Sequence, residues 1–189
     1  MRLSRPARTL TAATMLAVLT ACGSGSDGAK TSASDDKPAA ATTSSAPKIP
    51  EDLCTAFTAE EFGAVVGATV TTETQPGGGC GFKQEDPRAV SGSITAMPDD
   101  PGTGGFEGAQ SGAAGAMDSP KVVVVDGVGT KAFLAFGTVF GGESLQTAGG
   151  TTDGKVIALI TLQQAKGLEQ PALEDLGRKL LALADDKLH

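Results

Sequence analysis

The first twenty-one residues constrain this chain most, because they read as a segment that the folded protein does not keep. Arg2, Arg5 and Arg8 form a positive stretch, and Leu10 to Ala21 is apolar apart from three threonines. Twelve helical residues reach only about 18 Å, well short of a hydrocarbon core of about 30 Å. The length and flanks are those of an export signal, so residues 1–21 are predicted to be a signal peptide. What remains after a polar stretch is residues 49–189, near the commonest size of one domain and enough for one core.

The segment ends in Leu19-Thr20-Ala21-Cys22, followed by Gly23-Ser24. This resembles the lipobox of bacterial lipoproteins. The resemblance implies that the Cys22 thiol receives a diacylglyceryl group, that cleavage leaves Cys22 as the N-terminus, and that palmitate-type acylation follows. The expected address is the extracytoplasmic face of the cell membrane, with the lipid as the membrane contact. Two acyl chains, at about 0.8 kcal/mol per buried methylene, anchor stably where one would be marginal. The chain has three cysteines. With Cys22 lipidated, Cys54 and Cys80 remain, and in an oxidising compartment they are expected to pair. The closed loop is 27 residues, a constraint of roughly 3–4 kcal/mol on the chain-entropy account. The alternative, a metal site, has two cysteines and one histidine to draw on, which is too few ligands.

In the stretch 22–48, every residue after Cys22 is Ser, Thr, Ala, Gly, Asp, Lys or Pro, and none is large and apolar. Such a stretch cannot bury enough surface to offset its ordering entropy, so a lipid-anchored disordered linker is expected. Net charge is -7; without the three N-terminal arginines, 12 basic residues face 22 acidic ones, a charge of -10. That balance repels phosphate backbones, and nucleic acid is not an expected partner.

Within the domain, Thr58 and Glu61 have capping-box spacing, Phe57 and Phe62 have hydrophobic-staple spacing, and Gly67 suits a left-handed cap. A helix over Ala59–Val66 follows. Strands are predicted over Ala68–Thr74, Cys80–Gln84 and Val90–Met97, with turns at 76–79 and 86–88. Residues 106–117 carry helical spacing despite Gly108, Gly112 and Gly115. Val122–Val125 reads as a buried strand. Lys131–Phe136, Thr138–Phe140 and Glu143–Ala148 read as further strands, with a turn at 151–154. Val156–Leu162, apolar on both faces, reads as a central strand. Pro171 opens a last helix whose Leu173, Leu176, Leu180 and Leu183 form a stripe. Short turns dominate, so the expected class is α+β: a mostly antiparallel sheet of about five to seven strands against a short N-terminal helix and a C-terminal amphipathic helix, with one disulfide.

The order Cys54, Thr58-Ala59-Glu60-Glu61, Gly67, Cys80-Gly81-Phe82, then Gly127-Val128-Gly129-Thr130-Lys131-Ala132 and a closing helix is similar to that of actinobacterial envelope lipoproteins with a small domain of unknown function. The resemblance implies an exported α+β domain with a shape related to PsbP-like proteins, and it implies no reaction. This chain departs from it in having no Trp.

Chemistry is sparse. His189 is the one histidine, and as the last residue it is not expected to be positioned; Ser91 and Ser93 therefore lack a base. Asp99-Asp100 could offer oxygens to calcium, and Asp185-Asp186 is a weaker candidate. The glycine runs at 102–105 and 127–129 lack the strand-to-helix context of a nucleotide loop. No catalytic residue, metal site or cofactor is expected. The leading expectation is a tethered module that binds an apolar small molecule or an envelope protein. A carboxylate-dependent hydrolase, requiring two buried acids of raised pKa, and a passive structural component are the alternatives.

Overall fold

The computed structural model describes residues 47–139, 141–142, 144–164 and 167–189. The expected signal peptide, Cys22 and most of the expected linker lie outside the described residues. Seven strands form one sheet: β1 Thr71–Thr74, β2 Cys80–Lys83, β3 Ser91–Pro98, β4 Asp118–Val124, β5 Lys131–Thr138, β6 Gln146–Thr152 and β7 Val156–Gln163. Their spatial order is β1-β2-β3-β7-β6-β5-β4, and every pairing is antiparallel. The α+β expectation holds, and β7 is the fourth of seven strands, as its two apolar faces implied.

Helix α1 spans Ala59–Val66 and begins as its sequence dictates. Thr58 Oγ1 accepts from the Glu61 N–H at 3.3 Å, and Glu61 Oε2 accepts from the Thr58 N–H at 3.0 Å. The Phe57 and Phe62 rings stack at 5.9 Å, and Phe62 stacks on Phe82 of β2 at 4.7 Å, so the staple continues into the core. Cys54 and Cys80 are bonded, with Cα atoms 4.8 Å apart. The bond fastens the short 3₁₀ turn Leu53–Thr55 before α1 to the start of β2. Helix α3, Gln170–Leu188, buries Leu173, Gly177, Leu180, Leu181 and Ala184. Its apolar face is therefore wider than the four-leucine stripe, and Leu176 and Leu183 sit at its margins.

The two faces of the sheet are covered unequally. On one, α1 and α3 pack over Phe82, Ile94, Leu134, Phe136, Ile160 and Leu162. On the other lies α2, Gly105–Gly115, whose Phe106 meets Phe133 edge-on at 5.5 Å. Among the described residues the buried core is drawn from Leu53 to Ala184, within the domain expected over residues 49–189.

Three expectations are corrected. Val122–Val124 belong to a longer strand at the sheet edge, where Val122 is 40% and Val124 is 70% exposed, while Val125, just past the strand, is buried. An apolar run signals a strand but cannot reveal that no neighbour lies beyond it. Pro120 and a register shift between Asp118 and Lys121 blunt this edge. Second, residues 131–138 form one strand rather than two, because Gly137 stays paired, opposite Gln146. Third, β6 starts at Gln146 and runs through Gly149 and Gly150 to Thr152, with the turn confined to 153–155. A Cβ on Gly149 would lie 2.7 Å from the Phe133 carbonyl oxygen, so that glycine marks close strand approach and not a turn. Phe140 and Glu143, placed in strands by the sequence, lie outside the described residues.

Candidate functional site

Strand register decides which side chains share the face under α2. Leu159 of β7 lies opposite Gly150 of β6 and Thr95 of β3; Thr161 lies opposite Ala148 and Ser93. Gln146 and Gln163 are the next residues on that face, by the two-residue period of a strand. Helix α2 lies over β4, β5 and β6 and presents Ala109 and Ala113, with Met117 just beyond its end; Ile157 and Leu159 of β7 pack at the margin of this cluster. The surface of β7 and β3 beyond it is left open, with Met97 42% exposed. Between helix and sheet runs a groove of about 530 Å³, walled by Ala109, Ala113 and Met117 and floored by Ala148, Leu159 and Thr161. This is within the range of ligand sites, which are mostly apolar with a few fixed polar groups.

The groove is graded along its length. Its floor passes from Leu159 and Met97 through Ala148 and Thr161 to the carboxamides of Gln146 and Gln163. Ser93 Oγ and Thr161 Oγ1 lie 2.9 Å apart and satisfy each other. Gln146 Nε2 donates to the Gln164 carbonyl at 3.3 Å, while its Oε1 is shielded from solvent and accepts from no described group. None of the described lining residues is charged.

A larger hollow of about 790 Å³ lies at the opposite edge, between Thr69–Thr71 and the β2–β3 loop. Lys83, Glu85 and Asp86 line it, all exposed and on or beside a turn. Volume alone would favour it, but its apolar side chains are only Val70, Pro87 and Ala89 among charged and polar ones, and the α2 groove, with an uncharged described lining, is the better site.

The sequence candidates occupy structural roles. Asp99 Oδ1 accepts from the Phe106 N–H at 3.0 Å, and its Oδ2 accepts from Thr152 Oγ1 at 2.8 Å. It thereby caps α2, whose N-cap residue, Gly104, has no side chain to do so. Asp100 Oδ1 accepts from the Gly102 N–H at 2.8 Å. Among the described residues, no three or more His, Cys, Asp or Glu side chains are grouped to hold a metal. Ser91 and Ser93 sit on β3, on the face away from α3 and its His189.

His189 is positioned after all: its side chain is 8% exposed and its Nδ1 lies 2.6 Å from Asp185 Oδ1. The same carboxylate accepts from Thr151 Oγ1 at 3.4 Å and from the Gly129 N–H at 3.0 Å. Asp185 thus fastens the β4–β5 turn to the end of α3. A Cβ on Gly129, which has φ +57°, would lie 2.3 Å from Thr151 Oγ1. The carboxylate stands between hydroxyl and imidazole, so the imidazole is not placed to take a proton from Thr151.

A pair of acids of raised pKa is likewise not found among the described residues. Every described Asp and Glu is exposed or half-buried, and the resolved shifts are downward. Lys187 holds Glu61 below the usual carboxylate range, aided by the Thr58 N–H; Lys83 and Lys131 do the same for Glu73 and Glu107. Burial pushes Asp153 up, but the Val156 and Lys155 N–H groups outweigh it.

The groove residues went unnominated by the sequence because Ala, Met, Thr and Gln carry no distinctive chemistry. One signal was present: on β7, alternate residues run Ile157, Leu159, Thr161, Gln163, so one face of a central strand turns polar.

No family model matches this chain, and no curated protein matches it.

Proposed function

We propose that this chain is a lipid-anchored extracytoplasmic module that binds a small apolar molecule in the groove between α2 and the sheet. The observation that carries the reading is the groove itself: about 530 Å³, open along one side, with a mostly apolar and uncharged described lining. The address rests on the lipobox-like Leu19-Thr20-Ala21-Cys22 and on the likeness to actinobacterial envelope lipoproteins. The polar stretch 22–48 then serves as a stalk and residues 49–189 as the working domain. Among the described residues no helix is long and apolar enough to cross a membrane, so the proposed attachment is the lipid.

Two experiments test the reading. Mass spectrometry of the native product is expected to find an N-terminal acylated Cys22; an unmodified cysteine there would remove the proposed address. For the groove, the chain from Gly23 onward is titrated with Nile red, a neutral apolar dye. Binding is expected, with loss of the signal in Ala148→Phe, whose ring would project from the floor. Equal dye binding by a still-folded Ala148→Phe variant would refute the groove.

A second reading has its own observation. The exposed Val122 and Val124 on edge strand β4 offer an apolar strip to an envelope protein adding a strand. Cross-linking from a residue placed at Val122 in intact cells would capture that partner, and adding Val124→Lys would abolish the capture.

A further inference from the structure

We infer that α2 is a strap, pinned at its two ends, whose middle unwinds while the sheet stays folded and rewinds over an apolar occupant of the groove. The inference rests on the groove reading above for what the strap closes on; the unwinding stands on the helix alone.

The pins are specific. Phe106, the one buried residue of α2, meets Phe133 edge-on at 5.5 Å. Its N–H donates to Asp99 Oδ1 at 3.0 Å, and Lys131 Nζ lies 2.6 Å from Glu107 Oε1. Just past the other end, Met117 is seated against β5: a Cβ on Gly137 would lie 2.7 Å from Met117 Cβ. Asp118 then pairs with Thr138, which stitches the chain into the sheet.

Between the pins little holds the helix down. Ala109 and Ala113 each offer one methyl group to the sheet. Among the described residues, the side-chain hydrogen bonds that reach α2 are those at Phe106 and Glu107. Packing does not call for the glycines of this segment. In α1, a Cβ on Gly63 would lie 3.0 Å from the Ala68 carbonyl oxygen, and in α3 one on Gly177 would lie 2.9 Å from Leu134 Cδ2. In α2, a Cβ on Gly112 or Gly115 would meet nothing within 4 Å, and one on Gly108 only the Thr103 carbonyl oxygen at 3.7 Å, an ordinary contact. None of the three has a positive φ. Their effect is to weaken the helix: in a helix interior, each glycine lowers the wound population about fivefold relative to alanine, through the backbone entropy lost on winding. At 11 residues, α2 is also too short to be stable without its neighbours.

Unwinding frees the strap without breaking a pin. Residues 108–115 span about 12 Å as helix and up to about 26 Å extended. The slack, about 14 Å, lets the middle rise from the floor at Ala148 and Thr161 while Phe106 and Met117 stay seated. Ala109 and Ala113 face the groove together only in the wound state, because residues four apart share one face of a helix. An occupant packed against both therefore favours winding.

The test is hydrogen exchange of the purified protein, read by mass spectrometry in about 0–2 M urea. Amides of residues 109–117 are expected to exchange at least about a hundredfold faster than those of residues 133–136 in β5. Urea should barely change the α2 rate, because the opening exposes little surface. Gly108→Ala combined with Gly112→Ala, which fills open space, should slow α2 exchange about twentyfold. Nile red at about ten times its Kd should slow it about tenfold. Exchange of α2 and β5 together, both accelerating with urea, would overturn the strap. An unchanged α2 rate in the double variant would overturn it too, since the helix would then move without unwinding. Bound dye that leaves α2 exchange unchanged or faster would overturn the coupling of strap to occupant. No dye binding would bring down the groove reading, and the dye-free exchange rates would still decide the strap.

Discussion

Leu134 is held between two glycines, and the consequence is measurable. A Cβ on Gly177 of α3 would lie 2.9 Å from Leu134 Cδ2 and 3.1 Å from Cδ1; a Cβ on Gly149 of β6 would lie 2.6 Å from the same Cδ2. Leu134 is fully buried, so its branches have no solvent to retreat into. In an exposed helix interior, Gly→Ala is stabilising by about 1 kcal/mol through backbone entropy. At Gly177 the added methyl displaces Leu134, and overpacking of this kind costs about 1–3 kcal/mol. The expected net effect of Gly177→Ala is a loss of about 1 kcal/mol, or a fall in Tm of about 3–5 °C for a fold of this size. Leu134→Val removes the two Cδ atoms at a cost of about 1 kcal/mol. In that background Gly177→Ala should become stabilising, because the helix term remains and the clash is gone. The assay is urea unfolding followed by far-ultraviolet circular dichroism, since the chain has no Trp or Tyr to report by fluorescence. Gly177→Ala stabilising the unmodified protein, or changing both backgrounds equally, would show that helix α3 is not limited by this contact.

Thr147 is 1% exposed and its hydroxyl has no partner among the described residues, so Thr147→Val should raise stability by about 1 kcal/mol; a lower melting temperature would mean that the hydroxyl is satisfied in solution. Glu61 joins α1 to α3 through Lys187 Nζ at 2.5 Å, and the pair lowers the Glu61 pKa from its ordinary value of 4.5. A depressed folded-state pKa contributes stability that is present above the ordinary value and lost as pH falls through the lower one. Lys187→Met should therefore flatten the decline in stability below about pH 4.5 while leaving the neutral-pH slope unchanged; an unaltered acid limb would show that the pair does not couple to folding.

The legible parts of this fold were those written in short stretches of chain. The α1 boundaries followed from Thr58, Glu61 and Gly67 because a cap is a local hydrogen-bond pattern. The pairing of Cys54 with Cys80 followed from counting thiols, and the centrality of β7 from its two apolar faces. Long-range arrangement is what the sequence withheld. Val122 and Val124 read as interior because a strand's own residues do not reveal whether another strand lies beside it. Asp99 read as a free carboxylate, yet it caps a helix and binds a threonine 53 residues away. His189 read as a loose end, yet Asp185 one helical turn before it holds the ring.

The groove is the extreme case. Register puts Gln146 beside Gln163 and Ala148 beside Thr161, and α2 covers only part of that face. Local sequence fixes which face each strand residue points to, because side chains alternate along a strand. Which surfaces are brought together, and which are left uncovered, depends on pairing and packing across the whole chain. Only the folded protein could therefore lay Ala148, Leu159 and Thr161 beneath Ala109 and Ala113 as the floor and wall of one groove.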